Sequence, residues 1–229
     1  MALPENGVPG REKFDAYAAS YDGLHQQSVS ASGESIAYFA LYKVACLERI
    51  GAPADEPLLD YGCGIGNLTE PLAKRFRDVH GYDPSAKSLE VAEERIASAT
   101  FHATPDAIPD DHFATVVLSG VLHHVRPEER LALLGIVRKK LRPGGRVVIF
   151  EHNPMNPLTR KAVHDCPFDD DAVLLWPWEP RRLLRSVGLR EIDLEFIVFF
   201  PRALSFLRRL EPKLKRVFIG AQTMTVGAR

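Results

Sequence analysis

Hydrophobic positions along the chain follow two alternating rhythms. Short apolar runs bounded by turn residues, at 57–61, 79–82, 100–103, 114–119 and 146–151, have the length of buried strands. Between them, apolar residues recur at helical spacing around 67–76, 85–98 and 127–141. The last of these ends at Arg142-Pro143-Gly144-Gly145, a stop signal for a helix. Such alternation predicts βαβ crossovers and therefore an α/β fold with a mostly parallel sheet and helices on both faces.

The two ends depart from this rhythm. Phe14, Tyr17, Ala18 and Tyr21 have helical spacing, which predicts a helix over 14–25. A second helix is expected over 34–50, between Ser32-Gly33 and Gly51. After Glu151, residues 152–177 are rich in Pro, Asp and Asn and read as an ordered insertion over the edge of the sheet. A helix at 180–187, a strand at 191–200, a basic segment at 202–217 and a final strand at 222–227 complete the chain. No internal repeat or low-complexity tract interrupts it. The 229 residues suit one domain with a full core.

Charge narrows the functional classes. A formal net charge of −1 gives no global field to attract nucleic acid, so no nucleic-acid partner is expected. The first residues lack the basic and apolar regions of a signal peptide, and no apolar run is long enough to span a bilayer. Cys46, Cys63 and Cys166 are scattered and form no CxxC pair. A cytoplasmic location is the expectation. Oligomeric state leaves no mark on the sequence.

The most informative stretch is Leu58-Leu59-Asp60-Tyr61-Gly62-Cys63-Gly64-Ile65-Gly66-Asn67. An apolar strand runs into three glycines at alternate positions, which permits a tight turn with a ligand against bare backbone. A dinucleotide turn would read GxGxxG, but the third glycine of that pattern would fall on Asn67. Twenty-one residues after Gly62, Asp83 ends a predicted strand, where a carboxylate can accept bonds from both ribose hydroxyls.

The GxGxG spacing after Asp60 resembles motif I of the class I S-adenosylmethionine (SAM) dependent methyltransferases. Three further segments resemble the same superfamily, in the same order: Ile108-Pro109-Asp110-Asp111-His112-Phe113-Ala114, Val117 to Val125, and Lys140-Leu141-Arg142-Pro143-Gly144-Gly145. Together they cover 58–151. The resemblance implies a Rossmann-like sheet of seven strands, the last antiparallel, and SAM as cofactor. It implies that Asp60 and the Gly62–Gly64 backbone hold the methionyl end, Asp83 the ribose, and Ser119 the wall beside the sulfonium. Asp106, in Thr104-Pro105-Asp106, is the expected partner of the adenine amino group, displaced by about two positions from the usual place. Where many relatives put an aliphatic residue after the ribose-binding carboxylate, this chain has Pro84 and then Ser85. In similar enzymes the amino-terminal helices, here within 1–50, close over SAM as a lid. Tyr17 and Tyr21 would then face the sulfonium or pack on the core, with Tyr21 the expected contact.

Methyl transfer is an in-line displacement, so the protein mainly aligns the acceptor and sometimes removes a proton. The candidates for catalysis are His123 and His124 after strand four, and Glu151 after strand five, followed by His152 and Asn153. Histidine suits proton removal near neutral pH. Asp169-Asp170-Asp171 reads as a solvated run, because consecutive carboxylates point in different directions, and no metal is expected. Trp176 and Trp178 either line an acceptor pocket or pin the insertion. The basic segment alternates Arg202, Arg208, Arg209, Lys213, Lys215 and Arg216 with apolar residues. It caps the sheet with solvated charges or touches a membrane surface. The expected activity is methyl transfer to a small biosynthetic intermediate. A SAM-consuming cyclase resembling the azetidine-2-carboxylate synthases, and a non-catalytic SAM-binding partner, are the alternatives.

Overall fold

A computed structural model describes Asp15, residues 21–167 and residues 169–229, without the side chains of 191 and 192. The expected contribution of Tyr17 lies outside the described residues. Helices α1 (Tyr21–Ser28) and α2 (Ile36–Arg49) lead into β1 (Leu58–Tyr61), α3 (Thr69–Ala73), β2 (Val79–Tyr82), α4 (Ala86–Arg95) and β3 (Thr100–His102). Then follow β4 (Phe113–Ser119), α5 (Arg130–Lys140), β5 (Leu141–His152), α6 (Pro157–His164), α7 (Glu179–Ser186), β6 (Arg190–Ile197), α8 (Glu211–Leu214) and β7 (Gln222–Ala228).

The seven strands form one sheet in the order β3-β2-β1-β4-β5-β7-β6. Strands β1 to β5 run parallel, and β7 inserts antiparallel between β5 and β6. This is the Rossmann-like sheet expected from the sequence, with its last strand reversed. The order turns at β1 and β4, so the carboxyl ends of those strands open a crevice where ligands of such sheets bind.

Alternation along the central strands builds two cores. Leu58, Val117, Val148 and Phe150 face α2 and α3, meeting Val44, Leu47 and Leu72. Leu59, Val116, Val147 and Ile149 face the other way, meeting Leu134 and Val137 of α5 and Leu184 of α7. A strand covered on both faces reads as a continuous apolar run, which is why β1 and β4 were legible.

The differences from expectation have local causes. Strand β5 begins at Leu141 and not at Arg146, because Leu141 pairs with Phe113 before a register shift carries Arg146 opposite Thr115. The Arg142–Gly145 stop signal is thus an irregularity within a strand. The insertion contains α6, started by Asn156, whose Oδ1 accepts from the backbone N–H groups of Leu158 and Thr159 with Pro157 in the first turn. The basic segment is a 3₁₀ run over Arg202–Leu210 that continues into α8. Among the described residues no helix is long and apolar enough to cross a membrane.

Leu134 is fully buried between α5 and the sheet. Leu134→Ala should destabilise the fold by about 2–5 kcal/mol, from lost burial plus the cavity left behind. Urea unfolding followed by circular dichroism measures it, and a change below about 1 kcal/mol would contradict this packing.

Candidate functional site

Strand β1 delivers Asp60 and the glycine turn to the crevice. The N–H groups of Gly62 and Cys63 both donate to the Tyr82 carbonyl, at 2.7 and 2.9 Å, which locks the turn against the end of β2. Gly62 has φ +85°, and a Cβ there would lie 2.5 Å from Val121 Cγ2, so only glycine fits. Gly64 has φ +54° and nothing within 4 Å of the place a Cβ would take. The turn is therefore held on its inner side and open at Gly64.

Asp83 clamps the same turn. Its Oδ2 accepts from Gly64 N–H at 2.8 Å and its Oδ1 from Ser85 N–H at 2.9 Å. Burial pushes its carboxyl up to about 6, against the pull of these two N–H groups. Asp60 is also buried, which raises it to about 6, while the Thr69 hydroxyl donating at 2.7 Å and the Lys43 charge act to lower it. Asp106 stands in an exposed 3₁₀ turn, Pro105–Ala107, beyond β3.

A second polar group adjoins the first. Lys43 on α2 donates from Nζ to Ser119 Oγ at 2.7 Å, and burial pushes its ammonium down to about 8 although Asp60 and Glu151 oppose this. Past Ser119 the chain turns through Leu122–His124. There the buried Glu151 accepts from Leu122 N–H at 2.8 Å on Oε1, and His123 Nδ1 lies 2.7 Å from Oε2. His123 Nε2 lies 3.8 Å from Asp169 Oδ1, and His124 Nε2 lies 3.3 Å from the same oxygen. Burial alone would lower His123, but Glu151 and Asp169 outweigh it and raise it to about 9. Burial, with the neighbouring His123 charge, lowers His124 to about 3 and His152 to about 4.

The amino-terminal helix reaches over the turn. Asn67 Nδ2 donates to Asp22 Oδ1 at 2.8 Å, and Ser85 Oγ donates to Asp15 Oδ1 at 2.6 Å. The Tyr21 hydroxyl is raised above its ordinary value by burial, with Asp169 and Asp83 adding to the effect. The Tyr21 ring meets His25 edge-on at 5.6 Å between centroids.

Among proteins of known family, residues 37–204 match the family described as a methyltransferase domain. The chain is a member of that family. Two similar curated relatives are uncharacterized methyltransferases. That of Anoxybacillus flavithermus is 29% identical over 142 residues, covering 59% of this chain and 63% of its own length. That of Bacillus cytotoxicus is 30% identical over 141 residues, with the same two coverages. The match therefore spans under two thirds of these relatives. The fold is shared with magnesium protoporphyrin IX methyltransferase from Synechocystis, solved with bound SAM. That structure superposes at TM-score 0.68 with 16% identity, covering all of this chain and 99% of the other.

Membership of the methyltransferase-domain family points to SAM as the cofactor, and the residues present fit it. The open backbone at Gly64 leaves room for a ligand. Beside it, Asp60 and Asp83 offer carboxylates to a molecule that carries an ammonium, a sulfonium and two ribose hydroxyls.

The structure brings Tyr21, Asp60, Gly62, Gly64, Asp83 and Ser119 to one rim of the crevice, and His123, His124 and Glu151 to the next. Asp106 is not drawn into the buried set. The sequence reading of 169–171 as a solvated run needs correction at one position. Asp170 and Asp171 are exposed, but Asp169 is buried, because its carboxylate turns in toward the imidazoles of His123 and His124. Trp176 and Trp178 are exposed and stacked on each other at 5.3 Å. Two cations, one half-buried and one fully buried, escaped the sequence reading. Lys43 is the lone charge in the apolar run Ile36–Leu47, a signal that could have found it. Arg130 is fully buried; its Nε donates to the Leu122 and Val125 carbonyls at 3.0 Å, and it also reaches Val173 and Glu179.

Two predictions follow from this geometry. The unfolded chain keeps the Lys43 proton to its ordinary value, while the native state releases it near pH 8. Between those values the unfolded state binds more protons, so wild-type stability should rise with pH relative to Lys43→Met. Urea unfolding of both proteins at pH 7.5, 8.5 and 9.5, all of them roughly chosen to straddle that window, reads the difference. A gap independent of pH would contradict the shift. SAM should also slow hydrogen exchange across Tyr21–Ser28, because Asp22 ties that helix to the glycine turn. Equal exchange with and without SAM would show that the helix does not close.

Proposed function

We propose that the protein transfers the methyl group of SAM to a small molecule held at the carboxyl ends of β4 and β5. The observation that carries this reading is the adjacency of two polar groups in one crevice. The glycine turn with Asp60 and Asp83 suits the cofactor, and the His123, His124, Glu151 and Asp169 cluster beyond Ser119 suits an acceptor.

In this reading Asp83 accepts bonds from the ribose hydroxyls and Asp60 receives the methionyl ammonium, with Gly62 and Gly64 exposing backbone to the same chain. Asp106, exposed and without an ion pair among the described residues, reaches the adenine amino group. Ser119, fixed by Lys43, forms the wall beside the sulfonium. Tyr21 closes the site from above. The bound cofactor supplies a methyl carbon already activated by the positive sulfur, so alignment of the acceptor is the larger task for the protein. Glu151 holds the backbone of Leu122 and the ring of His123, which makes both positioning residues for the acceptor pocket. His124 and His152 are kept neutral by burial and can accept a hydrogen bond from an acceptor hydroxyl or amine. The three buried free cysteines suit a reducing, cytoplasmic setting.

Asp83→Ala should weaken SAM binding at least about tenfold, roughly 1.4 kcal/mol, through lost charge-assisted bonds. Calorimetry reads this, and unchanged affinity would remove the ribose role. Product analysis tests the reaction type. The protein with SAM alone should leave SAM intact, and S-adenosylhomocysteine should accumulate only when an acceptor is supplied. Enzyme-dependent methylthioadenosine from SAM alone would replace methyl transfer with cyclisation.

A further inference from the structure

We infer that His123, His152 and Asp169 form a divalent-cation site in the acceptor pocket, and that the acceptor is an oxygen nucleophile bound to that cation. The inference rests on the acceptor position proposed above. It replaces the metal-free site expected from the sequence.

The three residues come from separate segments: the turn after β4, the end of β5 and the loop after α6. One ligand atom from each lies within 4.8 Å of the other two. His123 and Asp169 are buried and His152 is half-buried, so few waters compete for the place. Glu151 sets the tautomer. By accepting from His123 Nδ1 it leaves Nε2, the nitrogen nearest Asp169, as the position where a metal ion would replace the ring proton. A carboxylate behind a ligating histidine is the usual outer support of a metal site. The 3.8 Å between His123 Nε2 and Asp169 Oδ1 is too long for a hydrogen bond. Two ligands at 2.0–2.1 Å from one tetrahedral ion stand roughly 3.3 Å apart, so closing by about half an ångström completes the pair.

Charge points the same way. Glu151 and Asp169 put two buried carboxylates at opposite edges of the His123 ring; a protonated His123 offsets one of them, and the second still needs a counter-charge. A divalent ion supplies it and leaves His123 a neutral ligand. Two imidazoles and one carboxylate, with open positions, select Zn²⁺, Mn²⁺, Fe²⁺ or Co²⁺ over Mg²⁺ and Ca²⁺, which prefer oxygen alone. An acceptor hydroxyl in an open position is acidified by the ion and loses its proton to water. Its oxygen then forms the new bond to the methyl carbon as the sulfur–methyl bond breaks, and the electron pair of that bond returns to sulfur. The products are the methyl ether and S-adenosylhomocysteine.

A second cluster, Asp78, His80 and His112, stands at the opposite end of the strands and would also take up added metal. The test therefore uses His112→Ala as background. That protein, stripped with chelator and titrated with Co²⁺ alone, should develop a visible ligand-field spectrum saturating at about one ion per chain. Adding Asp169→Asn or His152→Gln should weaken Co²⁺ binding at least about tenfold. SAM affinity by calorimetry should stay within about twofold in both, which shows that the fold and cofactor site survive. Acetohydroxamate, an oxygen-donor probe, should shift the cobalt spectrum, and acetamide should not. No Co²⁺ binding, or binding retained in both variants, would overturn the cation site and assign the cluster to an internal ion pair. Binding without an acetohydroxamate shift would overturn the oxygen-acceptor assignment. Loss of SAM binding with cobalt intact would instead overturn the cofactor reading.

Discussion

The buried carboxylate of Glu151 is the constraint on which the acceptor side of the molecule depends. It ends a central strand whose neighbours leave it no water, and leaving such a group unpaired would cost several kcal/mol. Its two oxygens are met from one place, the turn after β4, by Leu122 N–H and His123 Nδ1. That requirement bends the chain into the 3₁₀ turn Leu122–His124 and turns the His123 ring inward. The His123 carbonyl, so placed, accepts from Val173 N–H at 2.8 Å and brings the segment after α6 across the crevice. Arg130 then secures the arrangement, since its guanidinium binds Leu122 and Val125 on one side and Val173 and Glu179 on the other. An arginine that is fully buried and that well satisfied acts as a rivet, and its planar fork reaches four partners a lysine could not.

Asp83 plays the matching part on the cofactor side. One oxygen holds the glycine turn and the other holds the entry to α4, so the turn and the helix move as one unit. Contacts of the amino-terminal segment fall on this unit, Asp22 meeting Asn67 and Arg95, and Asp15 meeting Ser85 and Lys87 N–H. Asp83 is therefore joined to the amino-terminal segment through two short hydrogen-bonded paths. Lys43 links the two halves. Its contact with Ser119 and its nearness to Asp60 and Glu151 set one half-buried positive charge beside both carboxylates.

The legibility of the sequence followed the range of the interactions. Strands β1 and β4 and the glycine turn are encoded by neighbours in the chain, and their residues announced both geometry and cofactor family. The boundaries that shifted were those set from a distance. Leu141 joins β5 because Phe113 pairs with it, which no local pattern at Arg142-Pro143-Gly144-Gly145 reveals. Asp169 was indistinguishable from Asp170 and Asp171 by composition, because only the position of two imidazoles decides which of three carboxylates turns inward. Lys43 shows the intermediate case: its isolation in an apolar helix was visible, but its partner Ser119 is 76 residues away.

The same distinction bears on specificity. The family match over 37–204 takes in the glycine turn, Asp83 and the His123 turn, yet leaves out Tyr21 and the helix that covers them. The glycine turn, where backbone geometry leaves little freedom, thus lies inside the matched segment. The amino-terminal helix is tied on through the Asp22 side chain, whereas the segment after α6 is tied on through the Val173 backbone, whose N–H meets the His123 carbonyl and whose carbonyl meets Arg130. Loops anchored at a few points to a rigid sheet can change sequence without disturbing the site beneath them. Asp169 belongs to the second of these segments. Asp169 reaches the histidine cluster from a segment anchored at Val173, so this carboxylate can be exchanged without moving the glycine turn on the far side of Ser119.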